Sequence, residues 1–424
     1  MNSETHVKIT DMAFGGDGLG RLDDGRVVFV PFTAPGDELE IALTQQKKTY
    51  CRGEVRQVIS PGPERTEPQC SHFGTCGGCR WQHINYPAQL ALKREMLVSE
   101  LAKKSKNTDF DKITAQIEPS LPYGYRTSAR VQVQRGKIGF FQEKTNKIVP
   151  VSQCPVLSSR LRDLLTGLKT ALAPTKFNGF LEITLDYDGR TGVSIHSEIR
   201  TKIGLVERVK RYADTVVVHG SVDINDEILM NGGGFSYVPG EFVQKNNQIN
   251  QAIKEYLEKL IRDGMRTDTF VELFAGSGNL THLLAGMFRY GVAAESSHPA
   301  ARLLFRNLSG KSVRIVETNL YKNPGRVLVR TAEITKRAGH PKAGPDLLIA
   351  DPPRAGLKNW AKLIRDMRPS NIILISCYPP VFAHDVSLII DEGYTVKSIR
   401  PFDMFPQTAH FEVVGHFRLK EWHQ

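Results

Sequence analysis

Short apolar runs separated by glycine turns open the chain. VKIT, RVVFVPF, ELEIAL and EVRQVI lie within the first 60 or so residues, divided by GGDGLG, DDG and APGD. Runs of this length, rich in β-branched residues, predict about five short strands closing into a small barrel. SPGPERTEP, residues 60–68, is a proline-rich link into a cysteine segment. From Tyr86 to about Lys106 the spacing becomes helical, with Lys93, Arg94, Lys103, Lys104 and Lys106 predicting a solvated basic face. Alternating runs then extend to about Val222 (RTSARVQVQ, KIGFFQ, LEITLDY, TGVSIHS, DTVVVHG), which predicts a mixed α+β region. Residues 248–265 carry one apolar stripe, Ile249, Ile253, Leu257, Leu260 and Ile261, as an amphipathic helix does. Beyond it TFVELF, YGVAAE, VRIVET, DLLIAD and NIILIS alternate with helical stretches, and YTVKSI and FEVVGHFRL follow. That order predicts a doubly wound α/β sheet with an antiparallel C-terminal edge.

A chain of 424 residues is long enough for two or three domains. The changes of pattern divide it at 1–62, 63–235 and 236–424. No stretch is apolar enough to span a bilayer, so no membrane partner is expected. MNSETHVKIT lacks the order of a secretory signal, and a cytoplasmic location is expected. Lys and Arg number 56 against 45 acidic residues, a net charge of +11, which favours a polyanion such as nucleic acid. The 6 cysteines are too few for a disulfide scaffold and read as ligands, nucleophiles or core residues.

Candidate chemistry gathers at strand ends. In VELFAGSGN, Gly276 and Gly278 let the backbone approach a ligand. Glu295, at the end of the next strand, suits the two hydroxyls of a ribose. The loop lacks a phosphate-binding lysine, so S-adenosylmethionine fits better than a dinucleotide. Asn319, after the third strand, is placed to meet adenine or to cap a helix. Asp351 in DPPRAG and Cys377 in SCYPPVFAHD close the fourth and fifth strands. Carbon 5 of uracil takes a methyl group only after a thiolate has added to carbon 6, and a base must then remove the carbon 5 proton. Cys377 and Glu412 supply those two types, with His410 a second candidate base. An acid followed by Pro-Pro also suits methylation of an exocyclic base amine, and a binding factor without catalysis is a third reading.

CSHFGTCGGC spaces Cys70, Cys76 and Cys79 as C-x5-C-x2-C, with Cys154 as an available fourth ligand. Four thiolates suit zinc or a [4Fe–4S] cluster. Cys51, inside the predicted barrel, reads as a packing residue.

Over nearly its whole length the chain resembles the RNA uridine carbon-5 methyltransferases. VKITDMAFGGDGLGR through FVPFTAPGDELEI resembles a TRAM domain, an OB-like RNA-binding barrel. The resemblance implies a central α+β domain with a [4Fe–4S] cluster on Cys70, Cys76, Cys79 and Cys154, and a Rossmann-like class I methyltransferase domain. FVQKNNQIN resembles the family's F-x-Q-x-N segment, which implies Gln244 at the cofactor and target base. LFAGSGN, Glu295, Asn319 and DPPRAGL imply Phe274, Gly276, Asn279 and Asp351 as further cofactor and base contacts. SCYPPVFAHD implies Cys377 as nucleophile, and DMFPQTAHFE implies Glu412 as base. Tyr378 and His384 stand where the family usually has Asn and Arg. Within the family, a TRAM barrel with cluster ligands leans towards large-subunit ribosomal RNA ahead of transfer RNA. No obligate protein partner is implied.

Overall fold

The computed structural model describes residues 4–197, 203–219, 228–340, 344–358 and 360–420. The start of the N-terminal segment and positions 220–222 of the strand-rich stretch fall outside them.

Strands β1 (Glu4–Met12), β2 (Gly18–Arg21), β3 (Val27–Val30), β4 (Glu38–Gln46) and β5 (Tyr50–Ser60) form a closed barrel in the order β1-β2-β3-β5-β4. Val7, Ile9, Val28, Val30, Leu39 and Ile41 fill it. Cys51 is fully buried among them, as its apolar setting predicts. Closure leaves the barrel no free strand edge.

A loop carrying three of the cysteines leads into α1 (Tyr86–Lys104), which starts at Asn85, whose Oδ1 accepts from the N–H of Ala88, and has proline in its first turn. A short helix, α2 (Phe110–Ile113), follows. Next come β6 (Ser128–Gln134), β7 (Lys137–Phe141), β8 (Ile148–Pro150), α3 (Ser159–Leu172), β9 (Asn178–Leu185), β10 (Thr191–His196), α4 (Ile203–Lys210) and β11 (Thr215–Val218). They make a six-stranded sheet, β11-β10-β9-β6-β7-β8, whose core side packs on α3 and α4. The two-residue strands β12 (Met230–Asn231) and β13 (Ser236–Tyr237) lead to α5 (Asn247–Arg262).

The remaining elements are β14 (Thr269–Leu273), α6 (Thr281–Met287), β15 (Tyr290–Glu295), α7 (His298–Asn307), β16 (Val313–Glu317), α8 (Gly325–Arg337), β17 (Leu347–Ala350), α9 (Trp360–Met367), β18 (Asn371–Ser376), α10 (Pro379–Asp391), β19 (Tyr394–Phe402) and β20 (Glu412–Leu419). Their sheet runs β16-β15-β14-β17-β18-β20-β19. Every residue of β14, β17 and β18 is buried, because helices cover both faces of this sheet. The antiparallel edge has a detail that the order of runs does not contain. The last strand, β20, inserts between β18 and β19 and pairs antiparallel with both. Among the described residues, no helix is long and apolar enough to cross a membrane.

The basic face read for α1 needs a correction at Lys93. Its side chain is fully buried, and Nζ lies 2.5 Å from Oδ1 of Asp403, itself fully buried. The helix buries Lys93 because Asp403 neutralises it, while Lys103 and Lys104 remain exposed. Tyr86 donates its hydroxyl to the other Asp403 oxygen at 2.9 Å. One turn on, Nε2 of Gln89 donates to the carbonyls of Trp81 and Ile84 and to Oε1 of Gln407, and the N–H of Gln407 donates back to Oε1 of Gln89. Residues 403–411, which lead into β20, are thus clamped by buried polar contacts to α1 and to the cysteine loop.

Candidate active site

The C-terminal ends of β14, β17 and β18 and the start of β20 meet at one place. Ala350 pairs with Leu273 on one side and Leu374 on the other, so Phe274 and Asp351 leave the sheet side by side. Ser376 pairs with Val413, and one step further in that antiparallel register stand Cys377 and Glu412. Inserting β20 beside β18 is therefore what brings the thiol opposite the carboxyl.

The electrostatics of this corner follow from burial. Burial pushes the Cys377 thiol up to about 11; Glu412 and Asp351 add to the rise and Arg354 opposes it. Glu412 is buried, its Oε2 has no hydrogen-bond partner among the described residues, and burial with the nearby Asp351 raises its pKa. Burial lifts Asp351 to about 6. Near pH 7 the corner holds a neutral thiol and a largely ionised Asp351, while burial and Asp351 push Glu412 towards its protonated form. Arg354, directly after the proline pair, is the cation that eases loss of the thiol proton, and single-residue reading of DPPRAG missed it. Burial drives the pKa of His410 down to about 4, so its ring is neutral and its Nδ1 is unpartnered among the described residues.

Beside this corner lies a cleft with about 630 Å³ of open space, solvent-facing mouth included. Gln244, Phe274, Gly276, Asn279 and Asp351 line it, which brings together five of the predicted cofactor contacts. Phe274 has φ 64° and Gly276 φ 56°, so the strand ends on two consecutive left-handed sites with one residue between them. A Cβ on Gly276 would meet nothing within 4 Å, which leaves room for a ligand against the backbone. Glu295 is outside the lining and fixes the loop instead. Its Oε2 accepts the N–H of Gly276 at 2.9 Å, and its Oε1 accepts those of Ser296 and Ser297. Asn319 is exposed, and its Oδ1 accepts the N–H of Tyr321 in a local turn; the next helix, α8, starts after Pro324. Sequence reading passed over Tyr187, Asn250 and Glu272 in this cleft. Asn250 and Asn279 exchange paired amide hydrogen bonds of 3.0 and 2.8 Å. Asn250 sits in the quoted FVQKNNQIN stretch, whereas Tyr187 comes from the central sheet and carries no local signal. Glu272 is buried within β14, and burial lifts it to about 8, so it is mostly protonated at neutral pH.

A second cavity is lined by Cys70, Cys76, Cys79 and Cys154 with Arg126 and Arg130. All four cysteines are free thiols. Burial pushes Cys79 up to about 12 and raises Cys76 and Cys154, with neighbouring sulfurs adding to each rise. Among the described residues, no group of three or more His, Cys, Asp or Glu is arranged to hold a metal ion.

Residues 2–55 match the TRAM domain model. The 23S rRNA (uracil(1939)-C(5))-methyltransferase RlmD of Klebsiella pneumoniae (strain 342) is 30% identical over 438 residues, covering 98% of this chain and 95% of that protein. The protein of the same name from Shewanella woodyi is 28% identical, covering 99% and 97%. The Pyrococcus abyssi tRNA (uracil-54, C5)-methyltransferase, solved with S-adenosyl-L-homocysteine, superposes with a TM-score of 0.72 at 23% identity, over 97% of this chain and 99% of that one. It shares the fold, a class I methyltransferase sheet included. Residues 193–419 match the tRNA (Uracil-5-)-methyltransferase family model, and the chain belongs to that family.

Proposed function

We propose that this RNA methyltransferase transfers a methyl group from S-adenosylmethionine to carbon 5 of a uridine in large-subunit ribosomal RNA, through a covalent bond from Cys377 to carbon 6. The observation that carries the reading is the placing of Cys377, Glu412 and Asp351 on adjoining strand ends beside the glycine-loop cleft. The ribosomal choice rests on the names of the relatives that match end to end.

S-adenosylmethionine supplies an electrophilic methyl group; the residues of this chain supply the rest. Gln244 and Asp351 hold the uracil, which must first leave its RNA stack to reach a strand end. Cys377 loses its proton to solvent, with the Arg354 cation favouring the thiolate, and the thiolate adds to carbon 6, making carbon 5 nucleophilic. Once carbon 5 has taken the methyl group, Glu412 acts as the carboxylate base that removes the carbon 5 hydrogen, so that Cys377 can leave. Glu272 and the Asn250–Asn279 pair shape the cofactor side of the cleft.

The thiols of Cys70, Cys76, Cys79 and Cys154 line one cavity without being arranged as a metal site; drawn together, they would be the ligands of a [4Fe–4S] cluster, with Arg126 and Arg130 offsetting its charge. Bound there, a cluster would tie residues 70–79 to the segment before α3, and no step of methyl transfer needs it. Protein purified without oxygen is expected to contain about four iron atoms per chain; zinc at one atom per chain in its place sinks this assignment.

The reaction itself is tested by incubating anaerobically purified enzyme with unmodified ribosomal RNA or transfer RNA and S-adenosylmethionine, then analysing nucleosides by mass spectrometry. New 5-methyluridine in the ribosomal pool is expected. A methylated exocyclic amine instead would transfer the case to the non-covalent chemistry.

A further inference from the structure

The turn between β1 and β2 reaches out of the barrel to the nucleophile. Its tip is closed by the N–H of Ala13 on the carbonyl of Asp17 at 2.7 Å and the N–H of Gly16 on that of Ala13 at 3.0 Å. The turn is then pinned from outside. Nε1 of Trp81 donates to the carbonyl of Gly16 at 3.2 Å, and Asp17 pairs with Arg80 at 2.6 Å and with Arg52 at 3.1 Å. Gly16 has φ 96°, and a Cβ there would come within 3.0 Å of the Trp81 ring nitrogen. The N–H groups of Arg80 and Trp81 both donate to the carbonyl of Gln407, in the segment that delivers Glu412. Barrel turn, cysteine loop and base-bearing loop are therefore one rigid block.

On this block stands Phe14, half-buried, with its ring 5.0 Å from that of Tyr378 at an interplanar angle of 79°. Tyr378 is itself half-buried and directly follows Cys377. Next to Phe14, Gly15 has open space where a side chain would be. Arg354 is exposed beside the thiol, and its charge reaches Cys377, His410 and Glu412 alike. The mouth over Cys377 is thus part aromatic and part cationic, and one of its walls belongs to the barrel.

We propose that Phe14 and Tyr378 form a stacking wall for an unpaired nucleobase next to the extruded uridine, which makes the barrel turn a specificity element of the active site. This rests on the uridine reading above. Flipping a nucleotide out leaves its neighbour with an uncovered face, and an aromatic side chain is the group that covers it. Arg354, exposed beside the thiol, suits a phosphate next to that base. A rigid anchor favours the reading, because a stacking contact gains most when its ring is already held in place.

Phe14→Ala is expected to raise KM for unmodified ribosomal RNA about tenfold or more, with kcat at saturating RNA and affinity for S-adenosylmethionine unchanged. Phe14→Trp should keep the wild-type KM. Phe14→Leu keeps apolar volume without an aromatic face and should behave like Ala, which separates stacking from packing if the Ala protein proves unstable. With Tyr378→Ala, the paired loss in KM should be less than the product of the two single losses. An unchanged KM in Phe14→Leu, or a fall in kcat with KM unchanged, overturns the proposal. Wild-type enzyme run alongside keeps the two readings apart. If it makes no 5-methyluridine, the uridine reading fails; if it makes product and the Phe14 variants match it, only the stacking wall fails.

Discussion

Glu412→Gln is expected to leave enzyme joined to its RNA as a band that survives denaturing electrophoresis. Gln has nearly the shape of Glu at this buried position, so cofactor and RNA should still bind. Cys377 still adds, and carbon 5 still receives the methyl group. The amide cannot then take the carbon 5 proton, the ring cannot expel the thiolate, and the adduct accumulates. Turnover should fall by roughly two to four orders of magnitude, the usual weight of a general base. Cys377→Ala gives the opposite pattern, with neither adduct nor turnover. Cofactor affinity should hold, because Cys377 is not among the residues lining the glycine-loop cleft. Product from Glu412→Gln at a normal rate would move the base role to another group. Activity surviving Cys377→Ala would end the covalent reading altogether.

Lys93→Met is expected to cost about 3–5 kcal/mol, because it leaves the buried Asp403 carboxylate without its cation. That is a large share of the roughly 5–15 kcal/mol that holds most domains folded. The loss should appear as a lower midpoint in urea. Adding Asp403→Asn to Lys93→Met should recover much of it, since a neutral amide keeps a partner for Tyr86 and no longer buries a lone charge. A single variant as stable as wild type would mean that water reaches this pair. Because residues 403–411 deliver Glu412, the single variant should also lose activity before it loses its barrel.

These two predictions differ in how far the sequence alone anticipates them. The parallel strands of the last sheet are legible because burial on both faces demands unbroken apolar runs, as in DLLIAD and NIILIS. The glycine turn is legible because Gly276 must adopt a left-handed backbone. Cys377 and Glu412 are visible as residue types at strand ends. Their opposition is not, since nothing in the order of runs says that β20 enters between β18 and β19. Lys93 is misread for a related reason. A lysine on a helix normally faces water, and only Asp403, 310 residues away, makes its burial tolerable. Asn319 has two physical uses at a strand end, and composition cannot choose between them. Phe14 carries no signal of this contact, because its partner ring, Tyr378, caps a helix far along the chain.

The insertion of β20 also orders events during synthesis. A barrel made from the first 60 residues can close as soon as they emerge, and can meet RNA while the rest of the chain is still being made. The strand that faces Cys377 with a carboxyl is made last of the seven in its sheet, and must slide between two strands already present. A growing chain therefore passes through a stage with grip and thiol but no base. Until β20 docks, the sheet has an open seam beside β18, and an adduct formed on Cys377 at that stage would have no carboxylate to release it.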